Sequence, residues 1–110
     1  MLKMDLEYNA GILFVRLKGI LNNKNSYKIN NYLNPVLKKH KIKYLVYNFF
    51  SLEAVDEAGI DALLRTKLEI KKNEGKLVFC EVRKEIYEKI KRLRITKLKD
   101  EREALQRIEV

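Results

Sequence analysis

The sequence predicts a single α/β domain over residues 1–110, with a mixed, mostly parallel sheet of four to five strands, an N-terminal hairpin and about four helices. Apolar runs that are typical of buried strands alternate along the chain with runs that have helical periodicity. Strands that are joined through helices pair in parallel by right-handed crossovers. The length of 110 residues suits one hydrophobic core and is too short for a second.

The chain begins with a predicted β-hairpin. Two strand-like runs, residues 4–8 and 12–18, flank the segment Asn9-Ala10-Gly11, which has the composition of a tight turn. Gly19 is expected to end the second strand, and a polar loop that contains several candidate helix caps follows at residues 21–25.

A first helix is predicted from Ser26 to His40. Its apolar positions recur at helical spacing and form one stripe: Ile29, Leu33, Val36 and Leu37. Pro35 interrupts this helix, because proline removes one backbone hydrogen bond and clashes with the preceding turn. We therefore expect a kink or a broken turn near Leu33 and Asn34.

The centre of the sheet is predicted at residues 44–50, which are nearly all apolar, as in a strand that is buried on both faces. A second helix is expected over residues 60–72, and Gly75 is a natural stop after it. Its core stripe is predicted to consist of Ile60, Leu63, Leu64 and Leu68.

The last third of the chain predicts a buried strand at 77–82, a short helix at 83–92, a brief strand at 96–98 and a final helix at 101–108. The short helix is expected to face inward through Ile86, Ile90 and Leu93, and the final helix through Ala104, Leu105 and Ile108. The predicted core comprises Leu13, Val15, Leu33, Leu45, Val46, Leu63, Leu64, Val78 and Cys80.

The formal net charge of +9 suggests, as an alternative function, a basic domain that binds nucleic acid without sequence preference. Lysine and arginine are, however, spread along the whole sequence and interleaved with acids, so we favour a merely solvated surface. No segment has the length and apolarity of a membrane span, and the first residues lack the apolar region of a signal peptide. We therefore expect a cytoplasmic protein without a membrane partner.

Neither catalysis nor metal binding is indicated. Cys80 is the sole cysteine and lies in an apolar run, and His40 is the sole histidine and lies among lysines. No nucleophile is paired with a base, and no glycine-rich phosphate loop is present. We expect no catalytic residues, no metal and no cofactor.

The segment Asp56-Glu57-Ala58-Gly59 lies between the central strand and the second helix. Asp56 is a candidate N-cap and Glu57 a first-turn acid, both favoured by the unpaired N–H groups and dipole of a helix start. By itself this pattern favours an ordinary, well-capped helix. Because open α/β sheets place their sites beyond the carboxyl ends of strands, we expect this helix start and the loop at 19–25 to form one exposed surface.

Several segments of the chain resemble, over nearly its whole length, the STAS domain of bacterial anti-sigma factor antagonists, closest to the sporulation branch. The residues that carry the resemblance are Gly19-Ile20-Leu21-Asn22, Leu45-Val46-Tyr47-Asn48, Val55-Asp56-Glu57-Ala58-Gly59-Ile60, Leu63-Leu64 and Gly75-Lys76-Leu77-Val78-Phe79-Cys80. The resemblance implies one STAS-like domain over 1–110 that is a binding module and not an enzyme. It implies partner-binding residues at Asn22, Asp56, Glu57, Ala58, Gly59 and Ile60.

The resemblance also implies regulation of sigma-factor-dependent transcription. In that family the unphosphorylated protein binds an anti-sigma factor, which is also a serine kinase, and phosphorylation of a serine ends the binding. Here Glu57 stands at the position of that serine, Ala58 follows it, and Asn22 replaces an acid.

Three hypotheses follow from Glu57, which carries less negative charge than a phosphoserine. It could imitate the phosphorylated, weakly binding state; it could be matched by a diverged partner that accepts a carboxylate; or the module could serve another protein partner. We favour a protein-binding role that is retained without the usual switch. Ser26, Ser51 and Thr66 are alternative hydroxyls, but we expect each to be a cap or a solvated residue, with Ser51 in the turn before the motif.

Overall fold

A computed structural model describes residues 1–108 as a five-stranded sheet covered by helices on both faces. The elements, in chain order, are β1 (Leu2–Asn9), β2 (Ile12–Leu21), a π-helical turn (Lys28–Leu33), α1 (Asn34–Lys39), β3 (Tyr44–Val55), α2 (Glu57–Lys72), β4 (Lys76–Cys80), α3 (Lys84–Ile90), a 3₁₀ turn (Lys91–Leu93), β5 (Thr96–Leu98) and α4 (Glu101–Arg107). The element order agrees with the sequence prediction.

The strands lie in the order β1-β2-β3-β4-β5, so β3 is central, as predicted. The β1–β2 pair is antiparallel and every other pair is parallel. Side chains on one sheet face pack with α1, α2 and α3, and those on the other face pack with α4. The predicted fold class, a mixed and mostly parallel sheet with an N-terminal hairpin and four helices, is confirmed.

The hairpin turn has the expected chemistry, but the end of the second strand was predicted too early. Ala10 and Gly11 both have positive φ angles, 54° and 81°. Gly19 does not end β2, which continues to Leu21. Instead it lies at an irregularity of the β2–β3 pairing with a φ of 102°, where an added Cβ would lie 2.1 Å from the Met1 carbonyl oxygen. Glycine is therefore required here by a bulge and a close approach.

The expected break at Pro35 is confirmed. The chain forms a wide π-helical turn in which the Asn34 N–H bonds to the Ile29 carbonyl, and α1 then begins with Pro35 in its first turn. A proline is tolerated there because its missing N–H would have no partner within the helix. The stripe predicted for this segment is correct at Ile29, Leu33 and Leu37 and wrong at Val36, which is exposed.

The apolar stripe of α2 was predicted correctly at Ile60 and Leu63 but with a rotation that wrongly included Leu64 and Leu68. Leu63 is buried, but Leu64 and Leu68 are exposed, and Thr66 is fully buried in place of a leucine. The Thr66 hydroxyl lies 2.7 Å from the Tyr47 hydroxyl and donates to Asn34 Oδ1 at 2.7 Å. Because these bonds satisfy the hydroxyl, a polar residue can occupy the face that packs on the sheet. Thr66 is thus neither a cap nor solvated.

Helix α2 ends in a Schellman motif, in which Gly75 has a different role from the one expected. The Gly75 N–H bonds to the Ile70 carbonyl and the Glu74 N–H to the Lys71 carbonyl. Glu74, not Gly75, has the left-handed φ, at 59°. Gly75 is required because an added Cβ would lie 1.9 Å from the Lys43 carbonyl oxygen.

Other boundaries differ by a few residues. β3 extends to Val55 because it pairs with the extended β2, so Ser51 lies in a strand and not in a turn. β4 ends at Cys80, since Glu81 has a left-handed φ of 53°. In the last helix, Leu105 was predicted to face inward but is exposed. The inward-facing residues Ile86, Ile90, Leu93, Ala104 and Ile108 are confirmed.

A polar cluster joins α4 to the sheet. Arg16 donates from Nε and Nη2 to both carboxylate oxygens of Glu101, at 2.8 and 2.7 Å, and from Nη1 to Glu7 at 2.8 Å. Asn48 Nδ2 also donates to Glu101, at 2.7 Å. The hydrogen bonds from Arg16 lower the pKa of the Glu101 carboxyl, against the opposing effect of its partial burial.

We expect this cluster to make the fold sensitive to acid. Because the Glu101 pKa is lower in the folded protein than in the unfolded chain, its carboxylate stabilises the fold above the ordinary pKa of 4.5. That contribution is lost as the pH falls below 4.5 through the lowered folded pKa. Urea unfolding at a series of pH values should show a weaker acid dependence in Glu101→Gln than in the natural protein. The exposed Glu53→Gln is the control, and equal pH profiles for all three proteins would contradict the expectation.

Candidate functional site

Asp56 organises the start of α2. Its Oδ1 accepts from the Gly59 N–H at 2.9 Å, so the predicted N-cap is present. Its Oδ2 accepts from the Asn23 N–H at 3.0 Å, and its own N–H bonds to the Leu21 carbonyl at 3.1 Å. One carboxylate therefore caps the helix and also holds the loop that follows β2. The helix start and that loop are adjacent, as expected from the sheet topology.

The loop after β2 is held in one conformation by asparagine side chains. Asn25 is buried; its Oδ1 accepts from the Asn22 N–H at 2.9 Å and its Nδ2 donates to the Ile20 carbonyl at 2.7 Å. Asn22 Oδ1 accepts from the Lys24 N–H at 3.0 Å. The Asn22 side chain is thus hydrogen-bonded within a local turn. The next two residues of the loop, Asn23 and Lys24, are exposed.

Gly59 and Ile60 lie beneath the surface and not on it. An added Cβ at Gly59 would lie 2.7 Å from Leu21 Cγ and 2.9 Å from Val55 Cγ2, so only glycine allows the helix to approach the strand ends so closely. Ile60 is 4% exposed and packs in the core with Leu63. Of the residues predicted to bind a partner, these two are therefore buried, and Gly59 sets how closely α2 approaches the strand ends.

Glu57 is the most exposed acid of the site, with 81% of its side chain accessible. Its Oε1 accepts from Arg92 Nη2 at 2.6 Å. We call the exposed face formed by Asn23, Lys24, Glu57, Ala58 and Arg92 the Glu57 surface. An ion pair at this exposure adds only about 0 to 1 kcal/mol to stability. Its main effect is that the surface presents a paired negative and positive charge.

Sequence analysis missed Arg92 as a site residue. It lies 35 residues after Glu57, in the 3₁₀ turn that extends α3. The turn is anchored by the buried Leu93, whose carbonyl accepts from Lys67 Nζ on α2 at 2.7 Å. No local pattern marks Arg92 among the other cations of this segment, because its role depends on how α3 packs beside α2.

The groups that could carry other chemistry lie elsewhere. Cys80 is fully buried in the core, and burial raises the pKa of its thiol to about 12, while His40 is exposed after α1. Among residues 1–108, no group of three or more histidine, cysteine or acidic side chains is placed to hold a metal ion. In the same part of the chain, no helix is both long enough and apolar enough to span a bilayer.

The alternative hydroxyls suggested by the sequence lie away from the start of α2. Thr66 and Ser26 are both buried, which corrects the expectation that they are caps or solvated residues. Ser51 is exposed but lies within β3, paired with Lys18 of β2. None of the three lies on the Glu57 surface.

Comparison with known proteins agrees with this architecture. The chain matches the family described as STAS domain over residues 3–106. The "Anti-sigma F factor antagonist" of Paenibacillus polymyxa is 24% identical over 81 residues, which cover 74% of this chain and 69% of that protein. The structure of the anti-sigma factor antagonist SpoIIAA in its unphosphorylated form superposes with a TM-score of 0.80 at 19% identity, over 96% of both chains.

The phosphorylated form of SpoIIAA from Bacillus superposes with a TM-score of 0.78 at 18% identity, over 97% of this chain and 100% of that one. The fold therefore resembles both forms to a similar degree. The sheet order, the capped start of α2 and a family match that spans nearly the whole chain lead to the same conclusion: this protein belongs to the STAS domain family and has the fold of its anti-sigma factor antagonists.

Proposed function

We propose that this protein binds an anti-sigma factor through the Glu57 surface, and thereby promotes sigma-factor-dependent transcription without the usual phosphorylation switch. The observation that carries the proposal is the position of Glu57. It is exposed on a preformed surface, at the place where the resemblance puts the phosphorylated serine. The relative from Paenibacillus polymyxa, named an anti-sigma F factor antagonist, supports the choice of partner. We expect that partner to be of the serine-kinase type.

The loss of the switch follows from chemistry. Glu57 has no hydroxyl that a serine kinase could convert to a stable phosphate ester, so this position lacks the two charge states of a phosphorylatable serine. Glu57 carries one negative charge, whereas a phosphoserine carries about 1.5 to 2. The side chain at position 57 is therefore not switched by a kinase, and it carries less negative charge than a phosphoserine would.

The ion pair between Glu57 and Arg92 supports the proposal that this protein can bind an anti-sigma factor. Arg92 places a positive charge 2.6 Å from the Glu57 carboxylate, so the partner meets an ion pair and not an isolated anion. An isolated charge that is buried at an interface without compensation costs several kcal/mol, on the order of 2 to 5. Of the three hypotheses raised by the sequence, the permanent imitation of the phosphorylated state is the one that this internal compensation disfavours.

The proposal predicts that a bulky cation at the centre of the surface blocks binding. Ala58 is partly exposed beside Glu57, and Ala58→Arg should weaken binding to an anti-sigma F factor by about tenfold or more, or 1.4 kcal/mol. Isothermal titration calorimetry with the natural protein and the variant measures this. Gln106→Arg adds the same side chain at an exposed position of α4, on the other sheet face, and should bind like the natural protein.

Two outcomes would contradict the proposal. The natural protein could fail to bind the anti-sigma factor in the calorimeter, or the two arginine variants could lose affinity equally. Circular dichroism of each variant separates a blocked surface from an unfolded domain.

A further inference from the structure

Two lysine-rich connections meet at the end of the molecule opposite the Glu57 surface. The first, residues 38–43, runs from the last residues of α1 towards β3. The second, residues 71–76, runs from the last residues of α2 to the first residue of β4. Asn73 Nδ2 donates to the carbonyls of Leu37 and Ile42, at 3.0 and 2.8 Å. The Lys76 N–H bonds to the Lys43 carbonyl at 2.7 Å. These bonds hold the two connections side by side, and we call the surface that they form the basic end.

The basic end concentrates charge that is dispersed in the sequence. Its lysines are all exposed: Lys38, Lys39, Lys41, Lys43, Lys71, Lys72 and Lys76. Glu74 is the sole acid within the two connections. Arg94, which precedes β5, lines a groove of about 290 Å³ together with Lys71 and Lys76. Cations that are spread along the sequence are therefore brought together at one end of the fold.

Helix geometry explains only part of this concentration. In a parallel α/β sheet, the carboxyl ends of the helices and the amino ends of the strands lie at the same end of the molecule. Lys71 and Lys72 lie in the last turn of α2, where a cation interacts favourably with the helix dipole. Lys41, Lys43 and Arg94 lie outside the helices, so the dipole does not account for them.

We propose that the basic end binds the phosphodiester backbone of nucleic acid without sequence preference, as a second binding surface that is separate from the Glu57 surface. Exposed lysines suit this ligand, because each can neutralise a phosphate and release a condensed counterion. A membrane surface is a poorer match. Amphipathic segments that insert into a bilayer carry large apolar side chains, and none of the exposed large apolar residues falls within 38–43 or 71–76. Attraction to anionic lipid by charge alone is distinguished by the vesicle arm of the test below.

The test compares two triple variants that lose the same charge. Lys39→Gln, Lys71→Gln and Lys76→Gln together neutralise three exposed lysines of the basic end. Lys3→Gln, Lys24→Gln and Lys84→Gln together neutralise three exposed lysines near the opposite end. Fluorescence anisotropy with a short labelled DNA duplex, in salt from about 50 to 200 mM, gives the affinity and its salt dependence.

The basic-end variant should bind the duplex about tenfold more weakly at low salt. The slope of log binding constant against log salt concentration should become less negative by about 0.9 for each lost lysine that contacts a phosphate. The control variant should lose about twofold or less. Equal losses in both variants would overturn the proposal, because they would indicate net charge alone. Absence of binding by the natural protein would also overturn it, as would tighter binding to phosphatidylserine vesicles or stronger displacement by poly-glutamate than by unlabelled duplex.

Discussion

Leu63→Ala is expected to lower the free energy of unfolding by about 2 to 5 kcal/mol, whereas Leu64→Ala should cost less than about 1 kcal/mol. Leu63 is fully buried between α2 and the sheet, while Leu64 is 36% exposed. Truncation at Leu63 removes apolar contacts and leaves a cavity in the packed core. At Leu64, water already covers much of the side chain, so less transfer free energy is lost.

The two leucines are adjacent in one helix, so helix propensity changes equally in both variants and the comparison isolates burial. Urea unfolding followed by circular dichroism measures each free energy. Similar losses at both positions would mean that α2 packs with the rotation first predicted from the sequence. An unfolded Leu63→Ala would still agree with the expectation if Leu64→Ala stays folded, because small domains have only about 5 to 15 kcal/mol of total stability.

Glu57→Ser is expected to strengthen binding to an anti-sigma F factor of the serine-kinase type by about tenfold, which is 1.4 kcal/mol. A partner that has evolved to bind a serine has no group placed to receive a carboxylate. It must therefore desolvate the Glu57–Arg92 ion pair, a cost that Arg92 offsets only in part. The variant also places a hydroxyl at the exposed start of α2, so the kinase and ATP should add a phosphate to it and not to the natural protein. Calorimetry and intact-mass measurement read these two effects separately.

A double-mutant cycle tests whether Arg92 compensates Glu57. Arg92→Gln should weaken binding when Glu57 is present and have a smaller effect in the Glu57→Ser background, because the two charges are coupled. Glu7→Ser is the control and should leave binding unchanged. Glu7 is also an exposed carboxylate in an ion pair, but it pairs with Arg16 in the β1–β2 hairpin, away from the Glu57 surface. Tighter binding by the natural protein than by Glu57→Ser would indicate a partner that is adapted to the carboxylate.

Several of the structural features that were predicted correctly depend on neighbours in the chain. The Asn9–Gly11 turn, the break at Pro35 and the Asp56 cap each follow from the chemistry of a few consecutive residues. The apolar run at the start of β3 similarly identified the central strand. In each case the physical cause is local, since it consists of a φ restriction, a missing N–H, a capping oxygen or continuous apolarity.

The rotation of α2 was decided by tertiary packing. Periodicity favours Leu64 and Leu68 for the core because they are more apolar than threonine, yet Thr66 occupies the buried face. Its hydroxyl is satisfied by Tyr47 and Asn34, which are distant in sequence. A hydrophobicity pattern cannot contain that information, because the cost of burying a polar group depends on partners supplied by other elements.

The same contrast between local sequence and tertiary packing applies to the Glu57 surface and to the basic end. The sequence by itself determined the fold class, the family resemblance and the position of Glu57 at a helix start. Only the tertiary structure placed Arg92 beside Glu57 and brought residues 38–43 and 71–76 together. The physical reason is that electrostatic interactions act through space and not along the chain. The charges that make up the net +9 are brought together only when the crossovers place successive helix ends at one end of the sheet.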